Sequence, residues 1–123
     1  MSIKQAQRIV VKVGSSTLTY PNGRPHFRRI EQIARVVADL KNSGKQVILV
    51  SSGAIAVGVS RLGLREKPQD TPGKQAAAAV GQCDLMSIYD RFFSEYGYVA
   101  AQILINRDVV EREERKNNVV NTM

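Results

Sequence analysis

Lys12 and two Ser/Gly turns are the residues through which this chain could do chemistry. Lys12 falls in Arg8-Ile9-Val10-Val11-Lys12-Val13, a run that otherwise reads as a fully buried strand. Gly14-Ser15-Ser16 follows at once, a small-residue turn with free backbone N–H groups. Taking an ammonium out of water is costly unless an anion pairs with it. A lysine at the end of a buried strand, facing a glycine turn, therefore suggests a phosphate. The competing reading is a lysine that snorkels from an edge strand into water. The second turn, Val50-Ser51-Ser52-Gly53-Ala54, ends another apolar run and opens a small-residue segment. In a parallel α/β sheet both turns lie on one edge, beyond the carboxyl ends of the strands, where such sheets bind ligands. Backbone N–H groups and a helix N-terminus at that edge suit anions.

Positioning those turns requires alternating strands and helices, and the periodicity supplies them. Strand one is Arg8–Val13, followed by a loop through Tyr20-Pro21-Asn22-Gly23. A helix over Arg28–Asn42 gathers Ile30, Ile33, Ala34, Val37 and Leu40 on one face, with Gly44 as its stop. Strand two is Gln46–Val50, and a short helix spans Ala54–Leu62. After a polar loop, Gly63–Pro72, a long helix runs from about Gly73 to Tyr96. Its second half places Leu85, Ile88, Tyr89, Phe92, Phe93 and Tyr96 on one face. Its first half, Gln75-Ala76-Ala77-Ala78-Ala79-Val80-Gly81-Gln82, has so little bulk that another backbone or a ligand can approach closely. Strand three is expected over Tyr98–Ile105, and a charged segment, Asp108–Met123, reads as a helix with Glu111 and Arg115 four apart. This order predicts an α/β fold, a parallel sheet with helices on both faces.

Composition narrows the function classes. The chain has 123 residues, of which 43% are hydrophobic and 24% charged, as expected of one soluble globular domain. No apolar run is long enough to span a bilayer. With no apolar leader ahead of strand one, a cytoplasmic location is expected. One cysteine, Cys83, excludes an internal disulfide framework and is read as a packed helix residue. With one histidine, His26, read as a loop residue, the two cannot form a zinc site. The net charge of +7 comes entirely from residues 1–60, where nine Lys/Arg face only Glu31 and Asp39. That field attracts polyanions, either nucleotides or nucleic acid. Arg24-Pro25-His26-Phe27-Arg28-Arg29 has no nucleic-acid motif around it and is read as the solvated start of a helix. Neither turn is a Walker A loop, since no Lys-Ser/Thr follows Gly58, and Gly-x-Gly-x-x-Gly is absent. Ser52 has no histidine base within its motif and is a hydrogen-bond donor rather than a nucleophile.

Three segments together carry a family resemblance: Val10-Val11-Lys12-Val13-Gly14-Ser15-Ser16, Ser51-Ser52-Gly53-Ala54-Ile55-Ala56-Val57-Gly58 and Gln75-Ala76-Ala77-Ala78-Ala79-Val80-Gly81-Gln82. In order and spacing they resemble the glutamate 5-kinase family of the amino acid kinase superfamily. Ala101-Gln102-Ile103-Leu104-Ile105 is similar to that family's next strand. The first motif is shared across the superfamily. The second and third are more specific to glutamate kinases and to the kinase half of bifunctional pyrroline-carboxylate synthases.

The resemblance implies a three-layer αβα sandwich around a mostly parallel sheet, incomplete in this chain. It implies ATP-dependent phosphorylation of the L-glutamate side-chain carboxylate to glutamyl 5-phosphate, the first step of proline biosynthesis. Lys12 would reach the ATP phosphates and stabilise the transferring group, with Gly14 and Ser15 offering backbone contacts. Ser52, Gly53 and Ala54 would hold glutamate, and Mg²⁺ would accompany ATP. The family's kinase domain is considerably longer. Residues 1–123 would be its N-terminal portion, with a further glutamate-binding motif, the nucleotide-holding half and any PUA domain beyond Met123. Such a fragment alone would be inactive. Homo-oligomerisation and feedback inhibition by proline are expectations of the same kind. Other amino acid kinases, with aspartate, acetylglutamate or uridylate as acceptor, and a basic nucleic-acid-binding or regulatory fragment are the alternatives.

Overall fold

The apolar run after Gln7 forms strand β1, Arg8–Val13, and the second run forms β2, Gln46–Ser51. A computed structural model describes residues 3–104 and 113–122 of the chain. β1 and β2 pair in parallel, Arg8 opposite Gln46 through Val13 opposite Ser51, as a two-stranded sheet. A parallel pair needs a crossover, and helix α2, Phe27–Asn42, provides it. Ile30, Ala34 and Ala38 are its buried stripe, with Ile33 and Val37 packed beside them. His26 caps its start, Nδ1 accepting from Arg29 N at 3.3 Å, and stacks on Tyr20 with ring centroids 4.3 Å apart. Gly44, at φ +92°, lets the chain leave: its N–H reaches Lys41 O at 3.0 Å and Lys45 N reaches Leu40 O at 3.2 Å. Those two bonds satisfy carbonyls that the helix end would otherwise orphan.

Two corrections concern the first half. The segment after Gly14 is not all loop: Ser15–Leu18 makes one helical turn, α1, whose Leu18 is fully buried. β1 is also not fully buried. Ile9, Val11 and Val13 face the core, while Val10 is 61% exposed and Lys12 is exposed. The cause is the layer count. Among the described residues α2 and the later helices cover one face of the sheet, and nothing covers the face carrying Val10, Lys12 and Val50. The α/β class and the parallel pairing stand, while the second helical layer and the further strands are not among the described residues.

Helix α3, Ala54–Arg61, and helix α4, Thr71–Glu95, complete the core. α4 begins two residues earlier than its bulk pattern suggests, because Asp70 is its N-cap, accepting from Gly73 N at 3.1 Å, and Pro72 sits in its first turn. A proline there loses no hydrogen bond. Replacing Asp70 with alanine removes that cap and is expected to cost about 1 kcal/mol, seen as a lower urea midpoint at unchanged slope. Leu85, Ile88, Tyr89 and Phe93 bury one face of α4 against Val13, Leu18, Ile30, Ala34 and Val57. Burying a side chain of this size is worth about 1.5–3 kcal/mol, so each residue of this stripe stabilises the core on that scale. Tyr96 Oη donates to Glu31 Oε1 at 2.9 Å, joining the end of α4 to α2. Arg35 binds the same carboxylate at 2.8 Å, and chiefly through that bond holds Glu31 below the usual carboxylate range.

The expected third strand does not form over residues 98–104. Tyr98 and Ala100 pack on the core and Val99 is 93% exposed, so the alternation of a strand is present without a ladder. The Tyr98 N–H is spent on Phe93 O at 3.0 Å, closing the end of α4, and its hydroxyl donates to Asn42. Ile105 lies outside the described residues. Helix α5 spans Glu113–Thr122; Glu111 of the expected ion pair lies outside the described residues. Cys83 is exposed rather than packed. Among the described residues no helix is long and apolar enough to cross a membrane.

Candidate functional site

The two Ser/Gly turns meet, as the parallel plan requires. β1 and β2 are in register, so their carboxyl ends coincide, with Val13 opposite Ser51. One further bond extends the ladder: Ser52 N donates to Val13 O at 3.0 Å. Gly53 then takes φ +102°, a left-handed conformation that disfavours any residue with a Cβ. A Cβ placed on Gly53 would stand 3.6 Å from Ser15 Cα and 3.7 Å from Ser15 Oγ. The two turns therefore lie side by side, with room for little more than a methyl group between Gly53 and Ser15.

The donors at this edge come from the backbone. Gly53 is the N-cap of α3, and the first intrahelical bond runs from Val57 N to Gly53 O at 3.0 Å. The N–H groups of Ala54, Ile55 and Ala56 precede it and have no acceptor within the helix. Aligned peptide dipoles add partial positive charge at that end. Gly14 opens α1 in an extended conformation, with no side-chain cap on the turn that Ser15 begins. Lys12 stands one pair before the edge, opposite Val50, on the uncovered face. Among the described residues it makes no ion pair and no side-chain hydrogen bond. Of the residues singled out from sequence, Gly14, Ser15, Ser52, Gly53 and Ala54 converge on one edge. Lys12 is on the strand that leads into it, with its cation uncommitted. The arrangement suits an anion held by N–H groups on one side and a mobile ammonium on the other.

The sequence reading missed one pair. Ser51 Oγ and Tyr89 Oη are 2.9 Å apart, and Ser51 Oγ donates to Ser52 O at 3.2 Å. Tyr89 is 4% exposed, and burial raises its phenol above the ordinary tyrosine value, with the Ser51 bond opposing. A tyrosine inside an apolar stripe needs a partner for its hydroxyl, which was the available signal. The partner lies 38 residues away and no local pattern names it.

The small-residue half of α4 resolves in favour of a backbone neighbour rather than a ligand. α3 lies directly on it: a Cβ on Gly81 would fall 1.6 Å from Ala54 O, and one on Gly58 would fall 1.7 Å from Ala77 O. Gly81 thus lets α4 pass against the first residue of α3, the residue at the turn itself. A wider open groove lies further along α3, between Arg24, Phe27, Ser60, Arg61, Ser87 and Arg91. There Arg61 is 3.7 Å from Asp84.

A model of the amino acid kinase family matches residues 7–123, nearly the whole sequence. The chain belongs to the amino acid kinase family. Within the family it is 59% identical over 121 residues to a glutamate 5-kinase of Clostridium perfringens, covering 98% of this chain and 45% of that protein. It is 52% identical to glutamate 5-kinases of Enterococcus faecalis and Listeria welshimeri, covering 98% and 99% of this chain and 44% of each of those proteins. The chain thus spans a little under half the length of the curated relatives it matches.

Proposed function

We propose that this chain is the N-terminal portion of a glutamate 5-kinase and forms the edge at which glutamate and the ATP phosphates meet. The observation that carries the reading is the adjacency of the two turns, tied by the Ser52 N to Val13 O bond at 3.0 Å, in an amino acid kinase 59% identical to a glutamate 5-kinase.

The chemistry asked of the edge is simple. A side-chain carboxylate with a reference pKa near about 4.3 is already ionised at neutral pH, so no general base is needed. One carboxylate oxygen attacks the γ-phosphorus of ATP, an O–P bond forms, the bond to the bridging oxygen breaks, and ADP leaves. Catalysis is then positioning and charge stabilisation of an in-line transfer. Ser52 Oγ and the N–H groups of Gly53 and Ala54 hold glutamate. The Gly14 and Ser15 backbone lies beside the phosphates. Lys12 extends from the uncovered face to the transferring group, where its charge offsets the repulsion of two anions brought together.

Mg²⁺, where it accompanies ATP, would supply positive charge that offsets the phosphate oxygens. Among the described residues no group of three or more His, Cys, Asp or Glu side chains could hold a metal ion. Mg²⁺ that arrives with ATP would need only one or two carboxylates beside the phosphates. A homo-oligomeric state, feedback inhibition by proline and a cytoplasmic location belong to the same proposal.

The test is an acceptor panel on the full-length protein that carries this sequence, read as ADP release. Glutamate is expected to exceed aspartate, acetylglutamate and uridylate by at least about a hundredfold, the size of discrimination that buried polar contacts supply. A better acceptor than glutamate would overturn the substrate assignment, and salt-sensitive RNA or DNA binding without any ADP release would favour the nucleic-acid reading.

A further inference from the structure

Both ends of the Ser52 backbone are tied, one to β1 and one, through the Ser51 hydroxyl, to α4. Its N–H goes to Val13 O at 3.0 Å, and its carbonyl accepts from Ser51 Oγ at 3.2 Å. A serine hydroxyl has one proton. With that proton on Ser52 O, Ser51 Oγ faces Tyr89 as an acceptor, and the 2.9 Å bond runs from Tyr89 O–H to Ser51 Oγ. The direction is thus fixed: Tyr89 O–H to Ser51 O–H to Ser52 C=O. The carbonyl of Ser52 and the N–H of Gly53 belong to one planar peptide. Whatever holds the carbonyl holds the direction of that N–H, and a donor on the carbonyl polarises it further.

We propose that Tyr89 is a positioning residue, whose buried hydroxyl acts through Ser51 Oγ on the Ser52–Gly53 peptide to aim and strengthen the Gly53 N–H toward an anionic substrate. Tyr89 stays rigid because α4 buries it among Val13, Leu85, Ile88 and Phe93. At 4% exposure it is closed off from the open edge and acts there only through the relay. The left-handed Gly53 gives the relay something to hold. That glycine tolerates a wider range of φ than other residues, so a fixed Ser52 carbonyl narrows the directions open to the Gly53 N–H. The inference rests on the reading of this edge as the glutamate site.

The experiment uses the full-length protein with Tyr89→Phe, Ser51→Ala, Ser51→Thr and the Tyr89→Phe/Ser51→Ala pair. Two readouts are taken: steady-state kinetics with glutamate and ATP varied separately, and the Gly53 amide proton resonance without substrate. Tyr89→Phe and Ser51→Ala are each expected to raise KM for glutamate about tenfold, the size of one lost hydrogen bond, with KM for ATP within about twofold. The pair should be no worse than either alone. Ser51→Thr keeps the hydroxyl and should restore KM. The Gly53 resonance should move upfield in Tyr89→Phe and return in Ser51→Thr. An unmoved Gly53 resonance overturns the relay, as does an equal rise in both KM values with a lowered melting temperature, which marks a merely structural tyrosine. If the wild-type protein does not phosphorylate glutamate, the reading of the site falls, while the Gly53 resonance still decides whether the relay exists. Should Tyr89→Phe not fold, Ser51→Ala against Ser51→Thr decides it.

Discussion

Lys12→Ala in the full-length protein is expected to lower turnover by about a thousandfold or more and to leave the melting temperature within about 2 °C. The two halves of that expectation come from separate observations. Stability should be indifferent because Lys12 is exposed on the open face and, among the described residues, holds no ion pair or hydrogen bond. Substitutions at such positions stay within about 0.5 kcal/mol. Turnover should collapse because a carboxylate and a phosphoryl group repel as they close, and Lys12 is a cation on the strand leading into the edge where both turns lie. Lys12→Arg keeps the charge but replaces a compact ammonium with a planar fork, so partial activity is expected from it. Near-normal turnover in Lys12→Ala would remove Lys12 from the mechanism. A large drop in melting temperature would mean that the lysine is part of the packing instead.

What the sequence reveals about Lys12 is its place, and what it conceals is its environment. Strand β1 was legible because four of its six residues are apolar and a turn follows. Its burial was not, since that depends on how many layers cover the sheet, and the apolar run is written for a two-sided sheet. The same cause removes strand three: residues 98–104 alternate as a strand does, but pairing is a property of a neighbour, and the Tyr98 N–H is already committed to the end of α4. The site was legible where it is local. Ser52-Gly53-Ala54 needs a left-handed residue followed by a helix start, and a glycine between serine and alanine states that directly. The coming together of the two turns was legible too, because parallel strands place successive carboxyl ends on one edge. Ser51 with Tyr89 was not, since a hydrogen bond across 38 residues leaves no period in the chain. Cys83 shows the opposite failure. A cysteine in a helix is commonly packed, but here the buried stripe of α4 runs through Gly81, Leu85 and Ile88, and Cys83 lies off it.

Gly81→Ala and Gly58→Ala should be the most destabilising single-methyl substitutions in the chain. Both glycines stand where α3 and α4 touch backbone to backbone, and the added Cβ would fall 1.6 Å and 1.7 Å from the carbonyl oxygens of Ala54 and Ala77. No side-chain rotamer relieves a contact with backbone; one helix must move. Overpacking of well-packed interiors costs about 1–3 kcal/mol, and a backbone clash should lie at or beyond the top of that range. On propensity alone the sign is opposite, because alanine is about 1 kcal/mol better than glycine inside a helix. The experiment therefore separates packing from propensity. Urea unfolding of the full-length protein should show a loss of about 3 kcal/mol for each variant, or insoluble protein, against little change for Ala79→Ser on the exposed side of α4. The two glycines differ in what else they should disturb. Gly81 packs on Ala54, the first residue of α3, so Gly81→Ala should raise KM for glutamate in whatever fraction folds. Gly58 lies a turn further along, where the same displacement should leave KM nearer normal. If both variants are as stable as the parent, the close α3–α4 contact is wrong, and the small-residue stretch of α4 is open to a ligand after all.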